Sequence, residues 1–182
     1  MPVGPNQCLP AFPTTAVVGT GALGMYYGAK LAKSGVPVTF LARRDLAHLQ
    51  KHGIQVHCPY GDFHLHPVRA CGKPEEIGPV DLVLVCIKTT ANSDLEKLIP
   101  PLLGHDTVVC TLQNGLGNEE LLASIAGRDR VLGGVCHVCV SRPEPGVARN
   151  MACTDIKFSD LSGGDTPRAR SLAQIFKNAE VN

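Results

Sequence analysis

Short, uninterrupted apolar runs alternate along the chain with stretches of helical periodicity. Residues 15–18, 36–42, 80–87, 107–112 and 131–140 read as strands, and residues 22–34, 45–52, 92–99 and 118–125 as helices. The helices carry stop signals: Gly35, Gly53, the pair Pro100-Pro101 and Gly127 each follow one of them, where a left-handed or helix-breaking residue closes the last turn. Asp45 stands where an N-cap would accept a backbone N–H. Pro37 falls at the start of its strand, where a missing N–H is tolerated. Two shorter strands, 54–56 and 63–68, flank the turn Pro59-Tyr60-Gly61-Asp62. Strands apolar on every position, alternating with helices, imply an α/β fold: a doubly wound, mostly parallel sheet covered by helices on both faces. Beyond Ser141 the pattern weakens. Pro143, Pro145 and Gly146 mark a turn, and residues 167–179 form one more helix.

The first strand runs directly into Gly19-Thr20-Gly21-Ala22-Leu23-Gly24, a G-x-G-x-x-G between a strand and a helix. In that setting the spacing has a physical reading. Gly19 permits the tight turn, Gly21 lets backbone approach a pyrophosphate, and Gly24 lets the helix lie close to the sheet. The helix N-terminus adds free N–H groups and a partial positive charge. This places the fold in the Rossmann type, with residues 14–182 as one dinucleotide-binding domain and residues 1–13, with four prolines, as a loose tail.

Cofactor choice is read at the end of the second strand, where an acidic residue would hold the ribose hydroxyls of NAD. Here the strand ends Leu41-Ala42-Arg43-Arg44. A guanidinium there can bind a 2′-phosphate bidentately, so Arg43, with Arg44 as second choice, points to NADP. Both read otherwise as solvated surface charges. Lys88 and Asn114 end the next two strong strands, at the carboxyl edge where open α/β sheets bind ligands. Lys88 could contact the cofactor ribose or a substrate, or be a strand-end surface charge. Asn114 could face the nicotinamide ribose or a substrate carbonyl, or be a turn residue, since Asn-Gly favours turns.

Composition narrows the field. The net charge of +1 comes with no basic stripe, which argues against nucleic acid. No apolar run is long enough to span a bilayer, and no secretory signal precedes the first strand. A cytoplasmic location follows, with the eight cysteines as free thiols. Cys86 and Cys110 lie in apolar runs and read as small core residues. The C-x-x-C of Cys136 and Cys139 has no second pair at zinc-finger spacing, so it reads as strand and no metal site is expected. The histidines, His137 included, do not converge on a site.

These motifs resemble the ketopantoate reductase (2-dehydropantoate 2-reductase) family. The resemblance rests on residues 19–24, Leu41-Ala42-Arg43, Ile87-Lys88-Thr89 and Gln113-Asn114-Gly115-Leu116-Gly117, and covers residues 14–160. It implies NADPH-dependent reduction of a 2-keto acid on the route to pantothenate and coenzyme A. The glycine loop would hold the pyrophosphate and Arg43 the 2′-phosphate. Lys88 and Asn114 would face the cofactor, Asn114 near the substrate, and Cys139 would lie near a backbone contact to the cofactor. The family's general-acid lysine belongs to a second, helical domain that falls beyond Asn182. Lys177 lies upstream of it and reads as solvated surface. The chain is therefore expected to bind NADP(H) and, alone, to be inactive. A non-catalytic NADP-binding or sensing module is the alternative. Surface normally covered by the second domain would favour self-association into a homo-oligomer.

Overall fold

The computed structural model describes residues 8–181. Nine strands form one sheet: β1 (Thr15–Val18), β2 (Val38–Leu41), β3 (Ile54–His57), β4 (Phe63–Leu65), β5 (Arg69–Cys71), β6 (Val80–Val85), β7 (Leu103–Thr111), β8 (Val131–Ser141) and β9 (Val147–Asp160). Their order across the sheet is β4-β3-β9-β8-β7-β6-β1-β2-β5. From β5 to β8 every neighbour is parallel. The β8–β9 and β3–β4 pairs are antiparallel, while β3 runs parallel to β9. The helices are α1 (Ala22–Lys33), α2 (Leu46–His52), α3 (Leu95–Leu98), α4 (Asn118–Ala126) and α5 (Pro167–Asn178). None of them is long and apolar enough to cross a membrane.

The central strands are apolar on both faces because each face has its own core. In β6, Leu82 and Leu84 point into one core with Tyr26 and Tyr27 of α1 and Phe176 of α5. Val83 and Val85 point into the other, with Leu95 of α3 and Leu122 of α4. The fold is thus the expected α/β, Rossmann-type, mostly parallel sheet with helices on both faces.

The strand expected over residues 63–68 stops at Leu65, and the unexpected β5 follows it. Four further local expectations change. First, residues 1–7 of the expected loose tail lie outside the described residues, but residues 8–13 are docked. Leu9 enters the core and its N–H donates to Ser171 Oγ at 3.0 Å. Second, Asp45 does not cap α2 with its side chain. The buried carboxylate instead pairs with Arg142 at 2.7 Å. Third, residues 92–99 split into a 3-10 turn, Thr89–Asp94, and the single turn of α3, with a non-helical Ala91 inside. Fourth, β9 is a fourteen-residue strand where the sequence shows only weak pattern. Its inward positions include Asn150, Thr154 and Asp160, all buried. Polar residues on the core side hide the alternation that marks a half-buried strand.

Asp160 explains how the far end of the chain is held. Thr166 caps α5 by accepting the Ala169 N–H, and Pro167 fills the first helical position, where no N–H is needed. The next residue, Arg168, is fully buried and pairs with Asp160 through Nε. Its two terminal nitrogens have no hydrogen-bond partner among the described residues. Burial works to raise the Asp160 pKa, but the hydrogen bonds from Arg168 and Ser162 and the Arg168 charge together hold it at about 2. A carboxyl whose pKa falls on folding stabilises the protein above its unfolded value and loses that contribution as pH drops through its folded value. This pair should therefore contribute about 2 kcal/mol at neutral pH, lost between roughly pH 4 and pH 2. Urea unfolding across that range should show the loss. Asp160→Asn should flatten the slope there and cost about 3–5 kcal/mol at pH 7, because it strands a buried guanidinium. A variant as stable as the parent at pH 7 would contradict this account.

Candidate functional site

The carboxyl ends of β1, β6 and β7 open into a cleft of about 450 Å³. Its floor is Gly21, Ala22 and Leu23 at the start of α1. One side is the β6 exit, residues 86–90, and another the β7 exit, Leu112 to Asn114. The far wall is less expected. Parallel pairing between β7 and β8 ends at Gly133, but β8 continues to Ser141 as an antiparallel ribbon with β9. Cys136, Val138 and Val140 of that ribbon line the cleft.

The glycine loop behaves as its spacing requires. Gly19 has φ of +109°, and a Cβ on it would stand 2.8 Å from Ile87 Cγ2 and 2.9 Å from the Ile87 nitrogen. A Cβ on Gly24 would collide with the Gly19 carbonyl oxygen and lie 3.1 Å from Cys86 Cβ and Val17 Cγ1. At Gly21 the same addition meets nothing within 4 Å, so that position faces open space in front of α1. Gly19, Thr20 and Gly24 shape the loop without lining the cleft. Gly28, not singled out in the sequence, does similar work: a Cβ there would come within 2.5 Å of the Phe40 ring.

The N-terminus of α1 is also the helix end suited to an anion. Gly21 at its N-cap provides no side-chain hydrogen bond, and its first turn holds no acidic residue. By contrast, α4 begins with Glu119 and Glu120, which already complement its dipole. The space, the free N–H groups and the dipole fit a pyrophosphate.

Lys88 and Asn114 both line the cleft, as their strand-end positions implied. Arg43 does not. Its side chain is largely exposed and donates from Nη1 to Asp94 Oδ2 at 3.0 Å. Arg44 is exposed and lies outside the cleft lining as well. Cys139 is exposed and absent from that lining, because it points away from the side taken by Val138 and Val140. Lys177 is exposed on α5.

A polar network ties the two strand exits together. Gln113 Nε2 donates to the Ile87 carbonyl at 3.0 Å and to Asn92 Oδ1 at 2.8 Å. Asn92 Nδ2 donates to Asn118 Oδ1 at 3.0 Å. Asn118 Nδ2 in turn reaches the carbonyls of Asn114 and Gly115, both at 3.3 Å. Gln113 is thus a brace beside Lys88, and Asn118 holds the Asn114 loop. Asn92 and Asn118 were read only as helix starts, because their partners come from separate exits of the sheet.

The thiols in the cleft are held toward their protonated form by burial. Burial raises the Cys86 thiol pKa strongly and pushes Cys136 to about 11. Cys86 and Cys110 are buried in the core, as their apolar surroundings suggested. Cys136 and Cys139 lie on opposite faces of β8 and do not form a chelating pair.

A family model described as ketopantoate reductase PanE/ApbA matches residues 15–163. The chain belongs to the ketopantoate reductase family. The 2-dehydropantoate 2-reductase of Nostoc sp. is 36% identical over 172 residues, covering 92% of this chain and 54% of that protein. The corresponding protein of Archaeoglobus fulgidus is 37% identical over 164 residues, covering 90% of this chain and 52% of its own length. Among solved structures, the 2-dehydropantoate 2-reductase of Geobacter metallireducens superimposes with a TM-score of 0.89 at 48% identity, over 92% of this chain and 56% of that one. The chain thus spans about half the length of these family members.

If Gln113 braces the site, Gln113→Leu should loosen it by freeing the Ile87 carbonyl and the Asn92 amide. We expect a loss of about 1–3 kcal/mol in urea unfolding, from two part-buried hydrogen bonds worth about 0.5–1.5 kcal/mol each. Hydrogen exchange should rise locally over residues 87–92. Unchanged exchange there would show that the brace is dispensable.

Proposed function

We propose that this chain is the cofactor-binding half of an NADPH-dependent 2-keto-acid reductase, with 2-dehydropantoate as the substrate its family membership favours. The observation that carries the reading is the open, uncapped N-terminus of α1 at the cleft floor, facing Lys88 and Asn114 across a space free of acidic side chains. Residues 14–182 act as the dinucleotide-binding domain.

In this reading the N–H groups of Gly21, Ala22 and Leu23 hold the pyrophosphate. Lys88 sets a positive charge against the ribose or the substrate carboxylate. The Asn114 amide offers two donors and one acceptor to the nicotinamide ribose and the keto oxygen. A bound nicotinamide would supply the hydride for the keto carbon. The proton for the developing alkoxide needs a donor of suitable pKa. The buried Cys86 thiol and the half-buried Cys136 thiol are held well above neutrality, and a lysine ammonium from the family's second domain fills that role. The 182-residue chain should bind the cofactor and turn over little substrate.

Arg43 is assigned to the 2′-phosphate, and its present partner bears on that. An exposed Arg–Asp pair is worth about 0–1 kcal/mol, so the guanidinium can exchange Asp94 for a phosphate at little cost. Calorimetry with NADPH and NADH tests both residues. Arg43→Ala should weaken NADPH by about ten- to a hundredfold, from hydrogen bonds to a charged group worth about 1.5–3 kcal/mol, and leave NADH nearly unchanged. Asp94→Asn should strengthen NADPH by a few-fold. Equal loss of both cofactors in Arg43→Ala would move the phosphate contact to Arg44 or elsewhere. Robust ketopantoate reduction by the 182-residue chain would overturn the need for an outside proton donor.

A further inference from the structure

The β8–β9 ribbon has two faces. One lines the cleft through Cys136, Val138 and Val140. The other turns outward and carries His137 and Asp155, which are register partners, together with Cys153. One ligand atom from each of these three side chains lies within 4.8 Å of the other two. His137 Nδ1 and Asp155 Oδ2 are 3.4 Å apart.

The backbone is bent to make this grouping. Pairing shifts between His137 and Cys139, so Cys139 faces Ala152 and Cys153 is the extra residue of a bulge. Cys153 has φ of +60°, an uncommon conformation for a residue that is not glycine. The bulge is held from beneath. Asn150, buried on the core side, donates from Nδ2 to the Cys153 carbonyl at 2.8 Å. Bulges of this kind re-aim side chains, and backbone in sparsely populated regions gathers at functional sites.

We infer that His137, Cys153 and Asp155 form a binding site for a divalent transition metal, Zn²⁺ by ligand chemistry. Imidazole, thiolate and carboxylate are all zinc ligands, and three of them leave a fourth tetrahedral position for water. The set excludes magnesium and calcium, which take oxygen ligands, while the thiol favours softer metals. The thiolate and carboxylate together carry two negative charges, matching a dication. Around tetrahedral zinc, ligand atoms at about 2.0–2.3 Å from the metal stand roughly 3.3–3.8 Å apart. The exposed His137 and Asp155 side chains reach that spacing by small rotations. The metal would clip β8 to β9 one residue away from the cleft-lining Cys136 and Val138, and so stiffen the cleft wall from outside.

The test uses the metal-free 182-residue chain in a non-thiol reductant, titrated with Co²⁺ and then with competing Zn²⁺. One equivalent of Co²⁺ should give the intense visible bands of a four-coordinate site and a thiolate-to-cobalt charge-transfer band, both displaced by Zn²⁺. Cys153→Ser should abolish the charge-transfer band. His137→Gln, at a well-exposed position where folding is not at risk, should weaken Zn²⁺ by at least about tenfold, since even outer-shell partners are worth ten- to a hundredfold. Cys139→Ser should change neither. Absence of the bands, their survival in Cys153→Ser, or their loss in Cys139→Ser would each overturn the assignment.

Discussion

Helix α1 can lie against the sheet because Gly24 and Gly28 have no side chains. A methyl group at Gly24 would strike the Gly19 carbonyl, which no rotamer change relieves, and one at Gly28 would press on the Phe40 ring inside the packed core. Much else depends on this contact. It brings the first turn of α1 to the carboxyl edge of β1 and β6, with its N–H groups facing the cleft. It presses Tyr26 and Tyr27 into the core that α5 completes through Phe176. Larger residues would push the helix out, and with it both the uncapped end that floors the cleft and the seat of α5.

The cleft is built from separate exits of the sheet that share little sequence. Gln113 and Asn118 join the β6 and β7 exits by side-chain amides, which can donate and accept at once. That property suits a joint between two loops whose carbonyls both need partners. The wall opposite comes from a ribbon whose two faces do different things. Its inner face is small and apolar, which suits a flat ring or a hydrocarbon portion of a ligand. Its outer face gathers three metal-binding side chains around a bulge. The same strand alternation separates the two, so a change on one face reaches the other only through the backbone.

Electrostatics divides the ionic groups by burial. Arg168 and Asp160 are sealed from water and fix the approach to α5, at the cost of two unpartnered guanidinium nitrogens. Arg43 and Asp94 meet in solvent, where screening leaves the pair weak and exchangeable. The first kind of pair specifies structure. The second leaves a guanidinium available to a stronger anion.

The sequence by itself determined the central parallel strands, though not β5 at their edge. β1, β2, β6, β7 from Thr107 onward and the start of β8 are largely apolar on both faces because both are buried, and a continuous apolar run survives any choice of neighbour. It determined the glycine loop too, since Gly19 and Gly24 meet limits that no other residue satisfies, and it placed Lys88 and Asn114 at the cleft. Tertiary structure decided what depends on partners far away in the chain. β9 takes polar residues inward because Arg168 and the Cys153 carbonyl await them, so its alternation is hidden. β3 and β4 join the sheet beside β9 rather than beside β2, which no local pattern could specify. Asp45 gave up a helix cap for Arg142, and Arg43 faced Asp94, because a carboxylate is drawn to whichever cation the fold brings near. The grouping of His137, Cys153 and Asp155 arises from strand register and the shift in pairing at Cys153, and neither is written in the spacing of those residues.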